Sequence, residues 1–128
     1  MVNLYREKAQ SCLIDADAAI ASQRWNMAAN RIYYALLNAV RALLICDQHP
    51  SHSHDGAKVL FGQHYVLTGE VSTEQGRLFS QLETLRERSD YNCMFEATEE
   101  LINEKYEPSK ALIERIFEII ESRYSATN

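Results

Sequence analysis

Apolar positions along this chain recur every three to four residues in long runs that are broken at only a few points. That period places one side of a helix against a core. Tyr5, Ala9, Cys12, Leu13, Ala16, Ala19 and Ile20 fit it and predict a first helix over about residues 3–22. Trp25, Ala28, Ala29, Ile32, Tyr33, Leu36, Leu37, Val40, Leu43 and Leu44 predict a second over about 25–47, the most apolar of the set and so the central one. Its other stripe, Asn30, Arg31, Tyr34, Asn38 and Arg41, is polar with few acids and reads as a solvated face, or as a groove or dimer surface.

Pro50 predicts a loop over 49–53, because the residue before proline is steered away from helix. A third helix follows over about 55–67, capped by Ser53 or Asp55, with Val59, Leu60 and Phe61 as core and Gly69 as its left-handed stop. Ser72 or Thr73 caps a fourth helix reaching about 91, with Leu78, Leu82 and Leu85 inward and Phe79 beside them. Thr98 caps a short helix over about 98–105. Pro108 then opens a longer one over 108–123, where proline is tolerated in the first turn. The expected fold class is all-α: a mostly antiparallel, up-down bundle of four long helices plus a short extra helix, in a single domain over 1–128.

Composition narrows the function classes. The chain of 128 residues holds 4 Gly and 2 Pro, too few for a turn-rich β fold. Its net charge of −5 excludes a diffuse basic surface, so any RNA contact needs a local patch or a groove shared with a partner, and no DNA contact is expected. Cys12, Cys46 and Cys93 are odd in number and widely spaced, which points to reduced thiols. The start, Met1 to Arg6, lacks a signal-peptide run, and apolar stretches such as Ala42–Cys46 are far too short for a bilayer. The expected location is therefore cytoplasmic, away from membranes. There is no Gly-rich phosphate loop, no pair of catalytic carboxylates and no Ser-His-Asp order. His49, His52 and His54, with Asp55 nearby, match no zinc signature and read as a polar capping loop, so neither metal nor cofactor is expected.

Three segments occur in order: Arg31-Ile32-Tyr33-Tyr34-Ala35, then His52-Ser53-His54-Asp55-Gly56, then Arg86-Glu87-Arg88-Ser89-Asp90-Tyr91. Together they resemble a bacterial branch of the HEPN family, with a Tyr-Tyr-Ala helix, a His-x-Gly helix start and an Arg-x-x-small-Asp-Tyr segment. The resemblance spans about residues 5–122. It implies a helical bundle that commonly dimerises. Many such proteins are ribonucleases and toxins of toxin–antitoxin pairs whose usual partner is a small nucleotidyltransferase-like protein; others bind RNA, nucleotides or proteins without catalysis.

The ribonuclease branch places a His four to six residues after an Arg. Histidine titrates near neutral pH and moves protons, while the arginine fork grips phosphate. Arg86 takes the Arg position, but Asp90 and Tyr91 stand where the His belongs, and no His follows His64. His54 or His64, from the third helix, is the remaining proton-transfer candidate. Arg86 falls four after Leu82 and eight after Leu78, near the core-facing stripe. It either pairs with Glu83 or Asp90 at the bundle edge, or shares a cleft with Asp90 and Tyr91 across a dimer axis. Tyr33 reads as core; Tyr34 lines a groove or lies on the surface. The leading expectation is a homodimeric RNA- or nucleotide-binding module at Arg86, Asp90, Tyr91 and Tyr34, one component of a two-gene toxin–antitoxin or defence system. The alternatives are a metal-independent endoribonuclease using Arg86, and a purely structural interaction bundle.

Overall fold

The computed structural model describes residues 1–127. The elements are α1 (Val2–Ala21), α2 (Trp25–Cys46), α3 (His54–Phe61) with a π-helical turn (Gly62–Val66), α4 (Thr73–Tyr91) and α5 (Glu99–Thr127). Four helices are long and one short, and no strand occurs among the described residues. Helix α2 is the axis of the bundle: α1, α3, α4 and α5 all pack on it. Ala28, Ala29, Ile32, Tyr33, Ala35, Leu36, Leu37, Ala39, Val40, Ala42, Leu43 and Leu44 are all buried along it. The seam with α1 is built of small side chains, Ala9, Cys12, Ala16 and Ala19, which lets the two axes approach closely.

Caps fall where the sequence places them. The Ser53 hydroxyl accepts the Gly56 amide at 2.9 Å, and Ser72 forms a reciprocal capping box with Gln75. The Thr98 hydroxyl accepts the Leu101 amide at 3.2 Å at the head of α5. Gly69 takes φ of 82°, the left-handed stop expected of it. Asn26 Oδ1 accepts the Ala97 amide at 2.8 Å, anchoring the α4–α5 connection to the start of α2. At the other end, Arg123 donates to Asp47 at 3.1 Å and Glu70 at 2.9 Å, while Tyr65 donates to Asp47 at 2.7 Å.

Two expectations are corrected. Helix α5 runs unbroken through Pro108 instead of stopping at about 105 and restarting. Proline there removes one amide donor, but it lies on the exposed side. Buried Ile102 and Tyr106 before it, and Leu112, Ile113 and Ile116 after it, hold both halves in one line. The Tyr106 hydroxyl also donates to Asp17 of α1. In the third helix Phe61 is buried as expected and Leu60 packs partly on the core, but Val59 is 54% exposed, and Ala57 and Tyr65 join Phe61 instead. Three consecutive residues cannot share one helical face, whereas 57, 61 and 65 are spaced by four. That helix begins one residue earlier than expected, at His54, and its last part widens into the π turn. No helix among the described residues is long and apolar enough to cross a membrane.

Candidate functional site

The polar centre of the molecule grows from two adjacent tyrosines on α2. A helix turns neighbouring side chains by about 100°, so Tyr33 enters the core at 0% exposure while Tyr34 is half-buried. Their rings meet edge to face, with centroids 5.1 Å apart. Arg86 of α4 lies against this pair. Only 6% of it is exposed, and its guanidinium carbon is 4.9 Å from the Tyr33 ring centre, 5.8 Å from Tyr34 and 5.7 Å from Tyr91. Three ring faces thus replace much of the water a buried cation loses.

Polar contacts satisfy Arg86 only in part. Nη1 donates to the Tyr91 hydroxyl at 3.4 Å and is 3.9 Å from Asp90 Oδ2, while Nε is buried with no hydrogen-bond partner. The Asp90 carboxylate is shared: it also accepts from Asn30 Nδ2 at 2.9 Å, which ties the end of α4 to α2. Burial works against the charge on Arg86, but the three tyrosines outweigh it and hold its pKa above the ordinary arginine value. Glu83, one of its two expected partners, instead pairs with Lys58 at 3.3 Å.

His54 reaches the same pair of rings from α3. The Ser53 cap sets the first turn, and Gly56 lets it close: a Cβ there would meet Ser51 Oγ at 2.5 Å and Ser53 Oγ at 2.7 Å. His54, the first residue of that turn, lies with Nδ1 3.3 Å from the Tyr33 hydroxyl. Its ring centre is 5.9 Å from Tyr33 and 5.8 Å from Tyr34. Burial lowers its pKa, helped by the cations of Arg41 and Arg86, so the imidazole is neutral at pH 7. Tyr33 moves the other way: burial, then the charge of Glu83, pushes it up to about 12. It is therefore a hydrogen-bonding hydroxyl at neutral pH and no base.

Arg86, Asp90, Tyr91, Tyr34 and His54, named from the sequence, thus converge on one place. His64 does not join them: its ring stacks on His49 at 3.9 Å. His52 is exposed, so the three histidines of the loop diverge, and no group of three or more His, Cys, Asp or Glu among the described residues is placed to hold a metal. Two members of the site were missed. Tyr33 was assigned to the core alone, yet it carries both Arg86 and His54. Asn30 was read only as part of a polar stripe, yet it fixes Asp90. The Tyr-Tyr repeat was the available signal for the first; nothing local marks the second.

Known proteins resemble this chain along most of its length. The HEPN domain model matches residues 2–124. A UPF0332 protein of Thermotoga maritima is 31% identical over 94% of this chain and 92% of its own length. Two proteins of Methanocaldococcus jannaschii are each 27% identical: "Putative toxin MJ0142", over 73% of this chain and 64% of its own, and "Putative toxin MJ0605", over 86% and 81%. With the bundle, the paired tyrosines and the buried arginine in place, and the family model spanning nearly its whole length, this chain belongs to the HEPN domain family.

Proposed function

We propose that this protein is an RNA- or nucleotide-binding module that takes phosphate at Arg86. In this reading it works as a cytoplasmic homodimer, as one component of a two-gene toxin–antitoxin or defence system. Relatives named as toxins support the setting, and a small nucleotidyltransferase-like protein is the partner the family resemblance implies. The observation that carries the reading is the state of Arg86. An arginine 94% removed from solvent, whose Nε has no hydrogen-bond partner and whose Nη1 contacts lie at 3.4 and 3.9 Å, is costly unless an anion completes its fork. Tyr91, 77% exposed with its ring centre 5.7 Å from the Arg86 guanidinium carbon, offers a ring to a base.

A second reading has its own support in the placement of His54. A metal-independent endoribonuclease needs a cation for the phosphate and a neutral base for the 2′-hydroxyl. Arg86 supplies the first. His54, neutral and on the same tyrosine pair, supplies the second in place of the absent His after Arg86. In that reaction His54 takes the 2′-hydroxyl proton as the 2′-oxygen forms a bond to phosphorus, and the P–O5′ bond breaks with the 5′-oxygen taking a proton from solvent water, giving a 2′,3′-cyclic phosphate and a free 5′-hydroxyl end.

One comparison separates the readings. The purified protein and its Arg86→Ala variant are incubated with mixed RNA, with and without chelator. Binding without cleavage, weakened in the variant, supports the module. Chelator-resistant cleavage lost in the variant supports the enzyme. Neither activity, with dimerisation unchanged, leaves a structural bundle and overturns both.

A further inference from the structure

We propose that the polar face of α2 is a track for one RNA strand, on which Arg31, Arg86 and Arg41 take phosphates of the same short segment. This rests on the RNA reading above and extends it from one phosphate to a segment. The face is set by spacing: Arg31, Tyr34, Asn38 and Arg41 follow the i, i+3, i+7, i+10 pattern that keeps side chains on one side of a helix. At a rise of about 1.5 Å per residue, Arg31 and Arg41 are roughly 15 Å apart along the axis. Arg86 enters between them from α4.

Contacts place Arg31 and Arg86, and the helical spacing places Arg41. Arg31 and Arg86 share one ring, with guanidinium carbons 5.6 Å and 5.8 Å from the centre of Tyr34. Two positive groups over one tyrosine repel each other, and Asp90 is the carboxylate that lies by Arg86. Asn30 holds Arg31 in place, accepting its Nε at 3.0 Å and its Nη2 at 2.6 Å through one oxygen. The carboxylate nearest Arg31, Asp15, is 3.8 Å away and 55% exposed. Beyond Tyr34 comes His54, and beyond it Arg41, whose charge His54 feels and whose buried Nε has no partner. Three arginines stand along the row, with Asp15, Asp90 and, beside His54, Asp55 as its carboxylates, while Lys58 meets Glu83. A chain of net charge −5 has therefore gathered three arginines beside one helix face.

The occupant follows from the length of the row and the rings along it. A row of roughly 15 Å is longer than one nucleotide, and a stacked strand carries a phosphate about every 3.4 Å of its axis, so the row suits on the order of three to five nucleotides. Tyr91, 77% exposed, offers a ring beside the cations, which unpaired bases use and paired bases do not. At the Arg31 end the row opens into a 690 Å³ cleft lined by Asn30, Arg31, Asp15 and Asp90. Its carboxylates accept base amino groups, not phosphate.

The test is fluorescence anisotropy of end-labelled oligouridylates of increasing length, titrated across salt. Three phosphate contacts on a single strand give log K against log salt a slope of about −2, and affinity stops rising once the row is filled. Arg31→Gln and Arg41→Gln each flatten the slope by about 0.7, whereas Arg31→Lys and Arg41→Lys, which keep the charge, retain it. Thermal unfolding of each variant confirms that it is folded. A slope indifferent to both glutamine variants overturns the track, as does uridine monophosphate or an RNA duplex binding as tightly as the longer oligouridylates. If those variants are silent while Arg86→Ala abolishes binding, the track fails and the single-phosphate module stands. If the wild type binds no RNA or nucleotide, both fall.

Discussion

Tyr33 Oη and His54 Nδ1 meet at 3.3 Å, joining a fully buried residue of the central helix to the first residue of α3. Because the other face of the Tyr33 environment is Arg86, 4.9 Å from the ring centre, this hydroxyl couples the cation and the imidazole without their touching. Arg86 and His54 are therefore brought together by a core residue. The positions of both are set by packing, which is the more precise way to hold a functional group.

The depressed pKa of His54 gives stability a pH dependence of known sign. Its folded value lies below the unfolded ~6.5, so the unfolded chain binds the proton more readily. The contribution is fully present above that unfolded value and is lost as pH falls through the folded one. His54→Gln is expected to be less stable than wild type by about 1 kcal/mol at pH 8, from the lost contact with Tyr33. That gap should narrow as pH drops from 7 to 5. Urea unfolding of the two proteins across this range checks it, and a gap that widens with acid contradicts the neutral imidazole.

Gly56→Ala is expected to destabilise the protein by about 1–2 kcal/mol, although alanine ordinarily favours a helix over glycine. The new methyl would meet two serine oxygens that are both engaged: Ser51 Oγ donates to the Ser53 carbonyl at 3.0 Å, and Ser53 Oγ accepts the Gly56 amide. Turning either away undoes the start of α3 and moves His54. A lower urea midpoint with unchanged slope, together with loss of the His54 pH effect, is the expected result. Full stability would show that the serines rotate freely.

How much of this was legible beforehand differs by level. Long apolar stripes at helical spacing gave α1, α2 and α4 nearly to the residue, because burial of one face is what such stripes encode. Arg86 was legible as core-facing from Leu78 and Leu82, and it is buried. What failed was local reasoning overruled by packing. Pro108 ends a helix by propensity, yet apolar residues on both sides keep α5 continuous. Val59 looked like core because its neighbours are apolar, but the start of α3 rotates it outward. The meeting of His54 with Tyr33, 21 residues apart, depends on how the 47–53 connection turns back, and no periodicity encodes that.

Tyr91 separates a functional part from a structural one. It is 77% exposed and reaches Arg86 through one long hydrogen bond, so Tyr91→Phe should change stability by no more than about 0.5 kcal/mol. In the RNA reading its ring stacks on a base, and Tyr91→Ala should weaken binding by about 1–3 kcal/mol while Tyr91→Phe retains most of it. Oligouridylate anisotropy and thermal unfolding on the same samples distinguish the effects. Equal loss in both variants would assign the role to the hydroxyl instead of the ring.

Pro108→Ala tests the continuity of α5 and should raise stability, a rare direction for a point change. Proline inside a helix costs about 3 kcal/mol or more relative to alanine, because it lacks the amide and crowds the preceding turn. Position 108 is exposed, so the smaller side chain leaves no core cavity. Part of the gain is offset because alanine gives the unfolded chain more freedom, by about 0.4–1 kcal/mol. Ser109 Oγ, which donates to the Lys105 carbonyl at 2.6 Å, already serves the turn next to the missing amide and keeps the local cost at the lower end. A net gain of about 2 kcal/mol is expected in denaturant unfolding. If α5 were two helices meeting at Pro108, proline would sit in a first turn, where it is well tolerated, and alanine would give no gain.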